Sequence, residues 1–201
     1  MRLPSFIRPL PTLLGVAGCL VLILGILSTA SMAEQEKKRV YKFNSAGELI
    51  QPTGYREWIF VGTPVTPNEL NNGKAPFPEF HAVYIHKSAY RKWKKTGAFP
   101  DGTILMKELI SVGSKQAASG KGYFMGEYIG LEATIKDSKR FKDEPGNWAY
   151  FSFTQEGKPL KKTAKAFPAG KCNICHQSFA KDDWVFTQYY PVLRAAKPGR
   201  K

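Results

Sequence analysis

The sequence predicts an α+β fold: an antiparallel β-sheet with peripheral helices, and near the C-terminus a helix that carries the chain's Cys-x-x-Cys pair. Five runs rich in β-branched and aromatic residues are spread along the chain, each long enough for a strand. The periodic segments between them are short, as helices at the margin of a sheet would be. Clusters of Gly, Pro, Asn and Asp at 63–78, 114–122 and 143–146 separate these elements as turns.

Taken in order, REWIFVG at 56–62 opens the sheet, and 80–85, 102–112, 123–134 and 147–154 complete it. Between the second and third strands, residues 88–96 read as a short helix with Ser88 as its cap. Residues 137–141 read as another, and 169–176 as a third. Signals conflict over 182–196, where a helical reading meets the strand-like run 185–190 until Pro191 interrupts it. No internal repeat is present. The layout excludes the four-helix bundle in favour of a sheet with helices beside it.

Residues 1–33 have the three-part layout of a secretory signal. Arg2 and Arg8 precede the apolar run LLGVAGCLVLILGIL at 13–27, and Ser31 and Ala33 flank Met32 in a small-x-small cleavage pattern. Cleavage after Ala33 would deliver residues 34–201 to the periplasm as one domain. An uncleaved anchor is the rival reading, since a span needs ~20 apolar residues and the run barely suffices. Lipidation at Cys19 fits less well, because residues 20–27 prolong the apolar core beyond it.

Of the formal net charge of +14, Arg2 and Arg8 belong to this leader, which leaves +12 on the exported part. Such a field favours acidic redox partners or anionic surfaces. Export makes nucleic acid an improper partner for it.

Loss of Cys19 leaves Cys172 and Cys175, both within AGKCNICHQS. A zinc site needs four ligands, and His81, His86, His176 and scattered carboxylates lack the usual paired spacing. A thioredoxin-like pair belongs at an early strand-to-helix junction, whereas this one lies near the end of the chain. Cys-x-x-Cys-His is the attachment pattern of c-type haem, in which two thiols bond the macrocycle and the adjacent histidine, here His176, reaches the iron. One motif predicts one haem. A disulfide or a metal site remains the alternative.

The sixth position of such an iron has few candidates, because no Met or His follows His176. Met106, Met125, His81 and His86 lie upstream, and the two methionines sit in apolar strand-like runs typical of core. An open position that binds small molecules is the expectation. Two strand residues break the apolar pattern. Period two puts Lys107 on a face with Leu105 and Leu109, where a lysine ordinarily snorkels. Glu132 shares a face with Phe124, Gly126, Tyr128 and Gly130 on the same rule, and glycines at alternate positions predict a close neighbour, either a flat ring or backbone.

GYREWIFVGTPVTPNELNNGKAPFPEF, WKKTGAFPDGTILMKELISVG, GYFMGEYIGLEATIKDSKRF, EPGNWAYFSF, CNICH and VFTQYYPVLRAAK together resemble the cytochrome P-460 family, over nearly all of residues 40–197. The resemblance implies a mono-haem c-type enzyme that oxidises hydroxylamine, with nitric oxide and nitrous oxide as products. It implies that Lys107 bonds covalently to the haem macrocycle, that Glu132 is the distal carboxylate, and that Phe77 lines the distal pocket. Where some relatives carry arginine, this chain has His81. The resemblance also implies a mostly antiparallel sheet and a homodimer; a small acidic cytochrome would suit as redox partner.

Chemistry supports these roles. A lysine is nucleophilic only as the neutral amine, a form that burial between Leu105 and Leu109 favours. Hydroxylamine oxidation releases protons, and a carboxylate in an apolar pocket would accept them. Two other functions compete. A gas-binding cytochrome of the c-prime-beta type would share the fold and the open iron but have an apolar distal side. A simple electron-transfer cytochrome would have Met106, Met125 or His81 on the iron.

Overall fold

The computed structural model describes residues 39–199. The leader at 1–33, with its cleavage site and Cys19, lies outside the described residues. No helix among the described residues is long and apolar enough to cross a membrane.

Five antiparallel strands form the central sheet: β1 (Ile59–Gly62), β2 (Phe80–Ile85), β3 (Ile104–Val112), β4 (Met125–Lys136) and β5 (Trp148–Ser152), in the order β1-β2-β3-β4-β5. Each neighbour in the sheet is thus the next strand in sequence, a meander. All five predicted strands are present, with ends displaced by up to three residues. Helix α1 (Lys87–Thr96) joins β2 to β3, and α2 (Ala169–Phe179) and α3 (Pro191–Ala196) follow the sheet.

The sheet buries both faces, which is why its strands read as apolar runs broken at few positions. On one face Ile104, Met106, Leu131, Ala133, Ile135 and Phe151 pack under the N-terminal segment through Tyr41 and Leu49, which Tyr55 and Trp58 extend. On the other, Val83, Ile85, Leu105, Trp148 and Tyr150 pack against Trp93 of α1, Leu193 of α3 and the Val185–Tyr190 stretch. Trp93 locks two helices together, since its indole donates to the Leu193 carbonyl at 2.8 Å.

Three local expectations are corrected and one ambiguity is resolved. The predicted helix at 137–141 is a single turn, in which the buried Asp137 carboxylate accepts the amides of Lys139 and Arg140. Helix α1 is capped by His86, whose Nδ1 faces the Ser88 amide, and not by Ser88 itself. The ambiguous 182–196 stretch resolves into a turn closed by the Asp182–Val185 bridge, a 3-10 turn at Thr187–Tyr189, and α3, with Pro191 at its first position. Finally, the β3–β4 register slips between Leu109 and Ile110, so that Gly130 pairs with Leu109 but Tyr128 with Ile110. That bulge transfers Tyr128 to the face opposite Glu132. There its ring lies under the Arg56 guanidinium, 4.5 Å away. Arg56 in turn donates to the buried Glu108 at 2.7 Å, and the Tyr55 hydroxyl donates to the same carboxylate oxygen at 2.7 Å.

Candidate functional site

Strand alternation places His81 of β2, Lys107 of β3 and Glu132 of β4 on one face. The register sets His81 opposite Leu109, and Lys107 opposite both Val83 and Glu132. Toward Leu105 this face is apolar core; at Lys107 a polar group interrupts it before the buried Leu109. Lys107 Nζ donates to Glu132 at 2.6 Å, and both side chains are about 30% exposed (30% and 29%). The structure therefore answers the oddity of each residue with the other, and it differs from the expected apolar surroundings: neither group is enclosed by leucine or aromatic rings alone. Phe77 and His81 stand beside them, their rings 6.2 Å apart, with Lys107 Nζ 6.0 Å from the Phe77 centroid. Phe77 is 61% exposed and so sits at the rim. His81 contacts Glu79 at 3.4 Å, and burial together with the Lys107 charge lowers its pKa despite that carboxylate.

The glycines of β4 have near neighbours, as expected, though of two kinds. A side chain at Gly126 would meet Ser111 and the Gly113 backbone, and one at Gly130 would meet the side chains of Thr154 and Leu109.

Cys172, Cys175 and His176 all lie on α2. Their i, i+3, i+4 spacing puts them on one face of a helix, which packs on β5 and over the same side of the sheet as Lys107 and Glu132. Both cysteines are free thiols, Cys172 half-buried and Cys175 exposed. Burial raises the Cys172 pKa, with Glu132 the next influence and Lys107 opposing it, so the helix and the ion pair lie within electrostatic reach.

The histidine is oriented by a partner the sequence did not disclose. His176 Nδ1 lies 2.8 Å from the Trp184 carbonyl. A carbonyl only accepts, so Nδ1 carries the proton and Nε2 keeps its lone pair, as in a histidine held to ligate a metal. Burial lowers the His176 pKa and keeps the ring neutral near pH 7. Tyr150 and Phe186 flank the imidazole, with centroids at 4.5 and 4.6 Å. The Trp184 carbonyl is aimed by a turn in which Asp183 and Trp184 both adopt left-handed backbone angles (φ 48° and 60°). Asp183 anchors that turn by accepting from Lys136 Nζ at 2.6 Å and from the Trp148 indole at 3.2 Å. The DDW stretch was the available signal, since aspartate tolerates left-handed angles.

The residues present fit a covalently attached haem. Two thiols and a pre-oriented imidazole share one helix face, and the buried Tyr150 hydroxyl, which has no hydrogen-bond partner among the described residues, could donate to a bound group. Zinc fits less well: among the described residues no three His, Cys, Asp or Glu side chains gather as metal ligands. Of the sixth-ligand candidates, Met106 is fully buried on the opposite face of the sheet. His86 caps α1 and packs edge-on to Trp58, and half-exposed Met125 pairs with Val112 beyond the bulges. His81 alone of the four joins the Lys107–Glu132 group. A cleft of about 320 Å³ opens elsewhere, between Pro67, Glu69, Pro78, Glu79 and Ser111, and touches this site only through Glu79.

A Cys-x-x-Cys-His helix laid on the polar end of an antiparallel sheet fits a cytochrome built on a sheet, in place of the usual helical bundle. The chain belongs to the Cytochrome P460 family, which matches residues 52–187 and makes it a haem protein. No curated protein matches it.

Proposed function

We propose that the protein is a c-type haem enzyme that oxidises hydroxylamine, giving nitric oxide and nitrous oxide. The observation that carries this reading is the Lys107–Glu132 pair, which stands on the sheet within electrostatic reach of His176 and Cys172. Cys172 and Cys175 would hold the haem and His176 Nε2 would ligate it, and the group would supply one-electron redox chemistry and a binding position for an amine nitrogen.

Conversion of two hydroxylamines to one nitrous oxide and one water releases four protons and four electrons. As a carboxylate, Glu132 is an acceptor-only group and can take those protons as general base. Lys107 is its competitor in the ion pair. With its nitrogen held on the macrocycle, Lys107 would no longer be a free ammonium, and Glu132 would be available to substrate. Phe77 at the rim would limit water entry, and His81, kept neutral by burial, would offer a second hydrogen-bonding group. An apolar distal side, which the gas-binding alternative requires, is not what these residues make.

The charge of +12 left on the exported part, once Arg2 and Arg8 of the leader are taken from +14, favours a small acidic redox protein as electron acceptor. A homodimer in the periplasm completes the reading, and sedimentation of the purified protein tests it. Glu132→Gln tests the chemistry itself. Haem content and nitric oxide binding are expected to persist while hydroxylamine turnover falls roughly 10²-fold or more, the usual range for a lost general base. Turnover at the wild-type rate would remove Glu132 from the mechanism.

A further inference from the structure

We propose that Phe186 and Tyr189 conduct electrons from the His176 side of the site to the surface, and that an acidic one-electron carrier protein docks where Tyr189 emerges beside Lys181 and Arg194. The proposal rests on the redox reading above, because it needs a redox centre at His176.

Two lines of rings leave the imidazole. Through Tyr150 the first runs inward: Tyr150 shares a buried cluster with Trp148, Phe99 lies 6.1 Å from Trp148, and Trp93 stacks on Phe99 at 4.4 Å. It ends there, since Trp93 is fully buried. The second runs outward. Phe186 lies 4.6 Å from His176, and Tyr189 lies 6.0 Å further with the two planes only 22° apart. Tyr189 is 58% exposed, so two ring steps connect the histidine to solvent.

The surface around that exit is assembled by Gln188. Its side-chain oxygen accepts the Lys181 amide at 3.1 Å, its amide nitrogen donates to the Phe179 carbonyl at 2.7 Å, and its own carbonyl accepts from the Arg194 guanidinium. The backbones of Lys181 and Phe179 and the Arg194 guanidinium are thereby tied to Gln188, the residue next to Tyr189. The nearby carboxylates are already engaged, Asp182 with Lys197 and Asp183 with Lys136. Lys181 and Arg194 have no ion-paired carboxylate among the described residues, so the patch presents net positive charge. Aromatic rings at the centre with arginine and lysine at the rim suit a partner of opposite sign. Each transfer would take one electron from ferrous iron, leaving it ferric, and reduce the carrier's copper from cupric to cuprous; no atom moves.

The test uses the haem-loaded protein reduced by dithionite, mixed rapidly with an oxidised acidic blue-copper protein, and follows loss of the blue band. Lys181→Glu is expected to slow the bimolecular reaction about tenfold at low salt and to flatten its salt dependence. Tyr189→Ser should slow the reaction at saturating carrier, Tyr189→Phe should restore it, and Lys158→Glu, on a distant exposed turn, should change little. Unchanged rates in both Lys181→Glu and Tyr189→Ser, or equal losses in Lys158→Glu, would overturn the proposal. Because dithionite supplies the electrons, a protein that ignores hydroxylamine yet still reduces the carrier through Tyr189 would refute the hydroxylamine reading and leave this one standing.

Discussion

Lys107 and Glu108 are adjacent in sequence and meet opposite surroundings. Glu108 is 2% exposed and held by Arg56, Tyr55 and Tyr84, whereas Lys107 faces the site and pairs with Glu132. One carboxylate is thus structural and the other available, a division that follows from strand alternation. A covalent role for Lys107 has a direct chemical consequence: digestion of the haem-loaded protein should yield no unmodified Lys107 peptide, and mass spectrometry reads this. Recovery of that peptide at full yield would rule the bond out. Lys107 and Glu132 were legible in the sequence because each breaks an apolar strand. Trp184, Tyr150 and Phe186 were not, since a carbonyl and two rings meet His176 only through tertiary approach, and nothing in their local pattern marks it.

Among the elements, the strands and the turn clusters at 63–78, 114–122 and 143–146 were readable, but strand register and the turn that aims the histidine were not. A strand declares itself by two-residue alternation, but the slip at Leu109–Ile110 depends on how two distant strands pair, so the face of Tyr128 was misread. Turns that aim the histidine depend on close packing as well. Gly146 has φ +63°, and a side chain there would lie 2.5 Å from the Trp184 ring. Gly146→Ala should therefore cost about 1–3 kcal/mol in urea unfolding and, by displacing Trp184, perturb the His176 ligation seen in the haem spectrum. The C-terminal segment responds to acid. Burial pushes the Asp182 carboxyl up, but hydrogen bonds from Lys197 and Thr187 outweigh it and hold the group below its ordinary value. A carboxyl lowered by folding contributes stability above its unfolded pKa of about 3.9, and that contribution is lost as pH falls through the folded value. Asp182→Asn should lower the melting temperature at pH 7, and the gap from wild type should narrow as pH falls below that unfolded value; a constant deficit at every pH would show that the carboxylate charge is not the cause.

For the whole molecule, the division of labour lies between the two faces of one sheet. The face under Tyr41 and Leu49 is closed by core, and the other changes from core at Leu105 to the Lys107–Glu132 ion pair within two residues. Helix α2 brings Cys172, Cys175 and His176 to that boundary, and membership of the Cytochrome P460 family agrees with the haem those residues can hold. Composition and the Cys-x-x-Cys-His motif carried that conclusion from sequence, while the exit through Tyr189 needed the packed rings. The central claim is a haem at His176 that reacts with hydroxylamine. The visible spectrum of the purified ferric protein, recorded before and after anaerobic addition of hydroxylamine, tests it most directly. The account predicts a haem band that shifts on addition and then moves to the reduced form as electrons leave the substrate. A colourless protein, or a haem band that hydroxylamine leaves unchanged, would contradict it.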